Sequence, residues 1–168
     1  MQQKRHLWLI RHADAANLSR SGRDFDRPLS ATGEAQARAM GQWLATQPER
    51  PEWLVHSDAA RTTRTAELIG DSFGDPAPVR FAEHRLYNPT FETLLSVVQE
   101  TASDCKRLAI ISHNPTITEA ALMLAGNGRV AAMVPCAVVW LSFDGQWQDL
   151  RPGITELQTM QTPAGLKP

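Results

Sequence analysis

Leu7-Trp8-Leu9-Ile10-Arg11-His12-Ala13-Asp14 is an apolar run that ends abruptly in a guanidinium and an imidazole. It reads as a buried strand whose carboxyl end carries two groups suited to holding and attacking a phosphoryl group. Arg107-Leu108-Ala109-Ile110-Ile111 runs in the same way into Ser112-His113-Asn114-Pro115. An Arg-His pair alone reads as easily as a strand end reaching solvent. Two apolar strands that each end in a histidine predict two imidazoles meeting at one sheet edge.

Outward from these strands, helical and extended segments alternate, which predicts an α/β domain with a mostly parallel sheet. Ser30 is placed to cap a helix whose buried stripe is Ala39, Met40, Trp43 and Leu44. Pro48 and Pro51 end it, and a second strand, Trp53 to Val55, stops at His56-Ser57-Asp58. A helix with Ala66, Ile69 and Phe73 on one face follows, then a strand at Val79 to Ala82. Phe91, Leu94, Leu95 and Val98 mark a third helix. After His113, Asn114 is expected to cap a fourth helix with Pro115 at its first position; Ile117, Ala120, Ala121 and Leu124 face inward, and Gly126-Asn127-Gly128 stop it. Cys136 to Phe143 is expected to turn at Asp144-Gly145 into a second strand through Trp147 and Leu150. The resulting expectation is a three-layer α/β/α sandwich with a central, mostly parallel sheet and an antiparallel C-terminal hairpin. Residues 1–152 would form one catalytic domain, and 153–168 a tail wrapping the surface.

Composition narrows the function classes. With 168 residues, 42% of them hydrophobic, the chain suits one domain with one core. No apolar run approaches the about 20 residues that span a bilayer, and a signal-peptide core is missing from the N-terminus, so a cytoplasmic protein without a membrane partner is expected. A net charge of −1 offers no general attraction to nucleic acid. Cys105 and Cys136 have no metal or disulfide spacing and read as small buried residues. Positive potential must therefore be local, and arginine supplies it.

In open α/β sheets, sites form outside the carboxyl ends of the strands. Three segments bring polar residues there: Arg11 with His12, Ser57 through Arg61, and His113. If Ser57 or Asp58 caps the helix that follows, Arg61 falls in its first turn, where the macrodipole disfavours a cation; Arg64 lies one turn on. Breaks of a local rule tend to mark functional sites, and a bound phosphate would resolve this one for both arginines. The bland alternative is a solvent-facing pair balanced by Asp58 and Glu67. His6, His56 and His84 read as structural or surface residues. A metal centre drawn from His12, His56 and His113 has neither i,i+4 spacing nor an attendant carboxylate pair.

Leu9-Ile10-Arg11-His12, Ser57-Asp58-Ala59-Ala60-Arg61-Thr62 with Thr65-Ala66, and Ser112-His113-Asn114-Pro115 together resemble the histidine phosphatase superfamily. The pattern is most similar to the short, SixA-type phosphohistidine phosphatases, and Asp26-Arg27-Pro28-Leu29-Ser30 with Gly33 resembles that family's entry into its first helix. The resemblance implies a covalent mechanism without metal or other cofactor. His12 would attack phosphorus as a neutral nucleophile while Arg11, Arg61 and His113 hold the equatorial oxygens, with Arg64 and Ser57 as further substrate contacts. Guanidinium forks bind phosphate oxygens bidentately and disfavour protonation of a neighbouring imidazole.

The sequence departs from the wider family at four places. Ala13 stands where glycine is common, Arg64 where glutamine is usual, and Asn17 is one residue out of step with a phosphate-contacting asparagine. The fourth departure is the acid that protonates the leaving group in larger relatives. Glu83 is the nearest counterpart, with Arg85 competing for the equivalent point and Asp14 and Glu92 as alternatives. A phosphohistidine ring can take its proton from solvent, because imidazole titrates near neutrality, whereas an alkoxide cannot. A poor acid therefore favours N–P over O–P bonds. Short connections in place of capping helices point the same way, to a phosphorylated protein such as a phosphorelay or phosphotransfer partner. The alternatives are a small-molecule phosphomonoesterase of the same superfamily and a non-catalytic phosphate-binding module.

Overall fold

Leu7 and Leu9 join one apolar cluster while Trp8 and Ile10 join another, so the first strand is buried on both sides. That explains its unbroken apolar run, since a strand covered by helices on both faces has no solvent side to make polar. In the computed structural model, which describes residues 3–126 and 129–168, the strands are β1 (Lys4–Arg11), β2 (Trp53–His56), β3 (Val79–Ala82), β4 (Arg107–Ser112), β5 (Val138–Asp144) and β6 (Glu156–Gln161). The helices are α1 (Ala31–Ala45), α2 (Ala60–Asp71), α3 (Phe91–Gln99) and α4 (Thr116–Ala125). The sheet order is β3-β2-β4-β1-β5-β6. The first four strands pair in parallel, and β5 is antiparallel to both β1 and β6. Met40, Leu44 and Ile69 from α1 and α2 close one face; Leu94, Ile117 and Ala121 from α3 and α4 close the other. The three-layer α/β/α sandwich with a mostly parallel sheet is the observed architecture.

Register decides where the chemistry falls. β1 and β4 lie side by side with Arg11 opposite Ser112, so His12 and His113 leave adjacent strands at the same level. The His12 amide donates to the Ser112 carbonyl and the Ser57 amide to that of Ile111, which draws the three polar segments to one edge. From β1 the chain passes over β4 to reach β2, a reversal of strand order at which α/β sheets open a crevice.

Three local expectations are corrected. The hairpin partner of β5 is not Trp147 to Leu150 but β6, inside the stretch expected to be a tail. Trp147 and Leu150 are three apart, which puts them on one side of the short 3-10 turn Trp147–Asp149 rather than on one face of a strand. Trp147 is buried, donating its indole N–H to the Cys105 carbonyl, and the fully buried Arg5 guanidinium lies over its ring. β6 was masked by its polar composition; a bulge opposite Trp140 and Leu141 lets Leu157 and Met160 both pack on the core. At α4, Pro115 occupies the N-cap and Asn114 does not cap: its amide donates to the Met133 carbonyl and accepts from the Thr118 hydroxyl. At α2, the N-cap is Ala59 rather than Ser57 or Asp58. Ser30 caps α1 as expected, accepting from the Gly33 amide. Gly126 ends α4 in the left-handed conformation, while Asn127 and Gly128 lie outside the described residues. Among the described residues no helix is long and apolar enough to cross a membrane.

Candidate active site

His12 closes β1 and is nearly buried, its Nδ1 2.7 Å from the carbonyl oxygen of Ala13. A carbonyl only accepts, so Nδ1 carries the ring proton and Nε2 keeps a free lone pair. The Ala13 backbone is fixed in turn by the Thr65 hydroxyl, which accepts from its amide at 3.1 Å and donates to the Arg61 carbonyl at 2.7 Å. His113 lies beside His12 with ring centres 5.3 Å apart and its Nε2 2.8 Å from the Ser57 hydroxyl. Ser57 thus joins the cluster through His113.

Arg11 donates through Nη1 to the Met133 carbonyl at 3.1 Å. Arg61 is buried, not solvent-facing, and is gripped by one residue: Nη1 donates to the Asp24 carbonyl at 2.8 Å and Nη2 to its Oδ2 at 3.1 Å. Five buried side-chain nitrogens among the described residues have no hydrogen-bond partner, and three are Nε of Arg11, Nε of Arg61 and Nδ1 of His113. Buried polar groups are satisfied almost everywhere in folded proteins, so three orphans in one cluster mark a place built for a polar ligand.

The electrostatics suit a nucleophile. Burial, with Arg61, Arg11 and Arg27 close by, pushes His12 down to about 4 against the lift from its bond to Ala13. Burial, then Arg61 and His12, pushes His113 down to about 3. Both imidazoles are neutral at physiological pH. In the unfolded chain they protonate near 6.5, so between about 6.5 and about 4 the unfolded state binds more protons and stability falls as pH is lowered. The urea midpoint is therefore expected to fall from pH 7 to pH 4.5, with a shallower slope in His113→Gln; an unchanged slope would contradict the neutral assignment.

Two predicted contacts do not join the cluster. Arg64 is held bidentately by Glu34, at 2.8 and 3.0 Å, and by Glu67 at 3.1 Å, which fastens α2 to α1. Carboxylates, not a phosphate, offset its place near the helix start, as Asp24 does for Arg61. Asp58 turns instead to His84, whose Nδ1 is 2.9 and 3.0 Å from its two oxygens. Glu83 caps the 3-10 turn His84–Leu86 by accepting from the Arg85 amide, and its carboxylate also pairs with the Arg85 guanidinium at 3.0 Å. Those bonds hold it below the usual carboxylate range, the reverse of a proton donor. Glu83→Gln is expected to change turnover by less than about threefold, where loss of a general acid costs about 10²-fold or more. Asp14 is likewise an acceptor, bonded by the Ser30 hydroxyl at 2.6 Å.

Asp24, Arg27 and Tyr87 belong to the site and escaped the sequence reading. Asp24 accepts from Arg27 at 2.9 Å, from the Tyr87 hydroxyl at 2.8 Å and from Arg61, and these partners, Arg27 first, hold it far below the ordinary range. The Tyr87 ring meets His113 edge-on at 5.5 Å. They sit in or at the ends of the short 3-10 turns Asp24–Asp26 and His84–Leu86, too brief to show a periodicity, and their only signal was the Asp26-Arg27-Pro28 segment, which holds Arg27 and lies two residues from Asp24. His56 is structural, with its Nδ1 on the Ser57 carbonyl at 2.8 Å. Among the described residues no group of three or more His, Cys, Asp or Glu is placed to hold a metal ion.

Residues 7–85 match the model of the histidine phosphatase superfamily, branch 1. A protein of Mycobacterium leprae is 31% identical over 148 residues, 83% of this chain and 89% of that protein. The chain belongs to the histidine phosphatase superfamily. Among solved structures, a candidate SixA phosphohistidine phosphatase of Nakamurella multipartitia is 28% identical, with a TM-score of 0.82 over 96% of this chain and 97% of that one. The protein histidine phosphatase SixA complexed with tungstate shares the fold at 22% identity, with a TM-score of 0.81 over 96% and 99% of the two chains. Family and fold together support a phosphatase hydrolase.

Proposed function

We propose that this chain hydrolyses the N–P bond of phosphohistidine in a protein, through a phosphohistidine formed on His12. One observation carries the reading: a neutral His12 with Nε2 free shares its cluster with the unpartnered Nε of Arg11 and Arg61 and Nδ1 of His113, while the carboxylates Glu83 and Asp24 are held ionised. In the first step Nε2 of His12 bonds to phosphorus as the P–N bond to the substrate ring breaks, and that ring leaves with the electron pair and takes a proton from solvent. In the second, water attacks the phosphorylated His12, whose ring is released neutral as phosphate departs. Arg11, Arg61 and His113 hold the equatorial oxygens in both steps. A leaving imidazole does not need the protonated carboxyl that an alkoxide requires. The likeness to the Nakamurella protein supports the same substrate class.

The test is turnover of a phosphohistidine-bearing phosphotransfer domain beside sugar phosphates and a phosphoserine peptide, with labelled phosphate and an alkaline detergent quench that preserves N–P bonds. The expected result is transient label on the enzyme and fastest turnover with the phosphohistidine domain. Rapid turnover of sugar phosphates with no reaction of that domain would favour the phosphomonoesterase reading, and stable binding without turnover a phosphate-binding module.

A further inference from the structure

The rings of the site continue past the nucleophile. His12 meets His113, His113 meets Tyr87 edge-on at 5.5 Å, and Tyr87 meets Phe25 edge-on at 5.1 Å. His84 stands 6.3 Å from both Phe25 and Tyr87. None of Phe25, Tyr87 and His84 is buried, although Phe25 and Tyr87 are large rings that a small domain ordinarily packs inside. Their positions are nonetheless fixed. Asp24, the neighbour of Phe25, grips Arg61 through both its carbonyl and its carboxylate and accepts from Tyr87, and Asp58 holds the His84 ring by Nδ1. A pre-set, half-exposed ring wall against the phosphate clamp is a contact surface whose ordering cost has already been met on folding.

We infer that Phe25, Tyr87 and His84 form the subsite for the leaving group, and that it takes a flat ring. The phosphoryl group is held by His12, Arg11, Arg61 and His113, and an in-line displacement expels the leaving group on the side away from His12. The rings of Tyr87 and Phe25 continue from His113, a member of that clamp. Offset or edge-on contact gives a ring a preference over an aliphatic group of the same charge. Asp24 is paired with Arg27 and Arg61, and the Arg23 guanidinium lies over the Phe25 ring at 5.7 Å, so the wall discriminates by ring contact and shape rather than by repelling anions. This inference builds on the proposed phosphatase reading and names the leaving group that its site admits.

Binding separates the two ideas. Phenylphosphonate and methylphosphonate share a phosphoryl head and differ only in the ring, so their affinity ratio by calorimetry reads the wall without catalysis. The full-length wild type is expected to bind the phenyl compound about five- to tenfold more tightly, and Phe25→Ala to reduce that ratio to about twofold or less with methylphosphonate affinity unchanged. Phe25→Leu, which keeps apolar bulk without the ring face and so guards against a loosened loop, is expected to do the same. A wild-type ratio near one, a ratio that survives in both variants, or an equal loss of both ligands would overturn the subsite. Cleavage of p-nitrophenyl phosphate that depends on Phe25, without cleavage of a phosphohistidine protein, would instead leave the subsite standing and remove the phosphohistidine reading.

Discussion

His12→Ala is expected to lower kcat by about 10⁴-fold or more and to abolish the labelled enzyme in a quench experiment. Arg11, Arg61 and His113 are proposed to supply charge and hydrogen bonds to the transition state, and the contact of His12 Nδ1 with the Ala13 carbonyl leaves its Nε2 deprotonated for attack. His12→Asn separates chemistry from folding, since its amide can still donate to the Ala13 carbonyl while offering no nucleophile. Both variants should therefore be equally inactive, with His12→Asn the closer to wild type in urea midpoint. Residual turnover within about tenfold of wild type in either would exclude a covalent step at His12. Phosphate affinity should survive in His12→Asn, because the unpartnered nitrogens belong to Arg11, Arg61 and His113.

Both strand ends, with Arg11, His12 and His113, were legible in the sequence because their signals are local and strong. An apolar run followed by a charged pair marks a strand end wherever the chain goes next, and the same pattern at Ile110-Ile111-Ser112-His113 supplied the second. Ser30 was legible for the same reason, as a cap acting over three residues. What was hidden depends on distant parts of the chain. Arg61 and Arg64 carry the same charge on the same helix, and nothing local says that one meets Asp24 in a buried pocket while the other ties α2 to Glu34. Glu83 looked available until Arg85 and its capping bond claimed it. β6 hid behind Gln, Thr and Glu because an edge strand with a bulge shows no clean alternation. Asp24 and Tyr87 lie 63 positions apart, and only the completed sheet brings them together at Arg61.

Gly33→Ala is expected to destabilise the fold by about 2–3 kcal/mol and to lower kcat by about 10²-fold in the protein that remains folded. A Cβ at Gly33 would stand 1.9 Å from the backbone oxygen of Asp14 and 2.9 and 3.0 Å from its carbon and nitrogen. Backbone cannot swing aside like the end of a side chain, so the start of α1 or the Asp14 segment must move. The α1 end is fixed by the Ser30 cap, and Asp14 is tied to Ser30 and Gln36. Strain therefore passes to Ala13, whose carbonyl orients His12 and whose amide is held by Thr65. A shift of about 1 Å in that carbonyl turns the imidazole away from in-line attack. Gly41→Ala provides the contrast: its Cβ would meet the Ser72 hydroxyl at 2.6 Å and the Ile69 backbone at 2.9 Å, between α1 and α2 and away from Ala13. That variant should lose urea midpoint while keeping kcat within about threefold, whereas a Gly33→Ala protein with unaltered kcat would break the link from the first helix to His12.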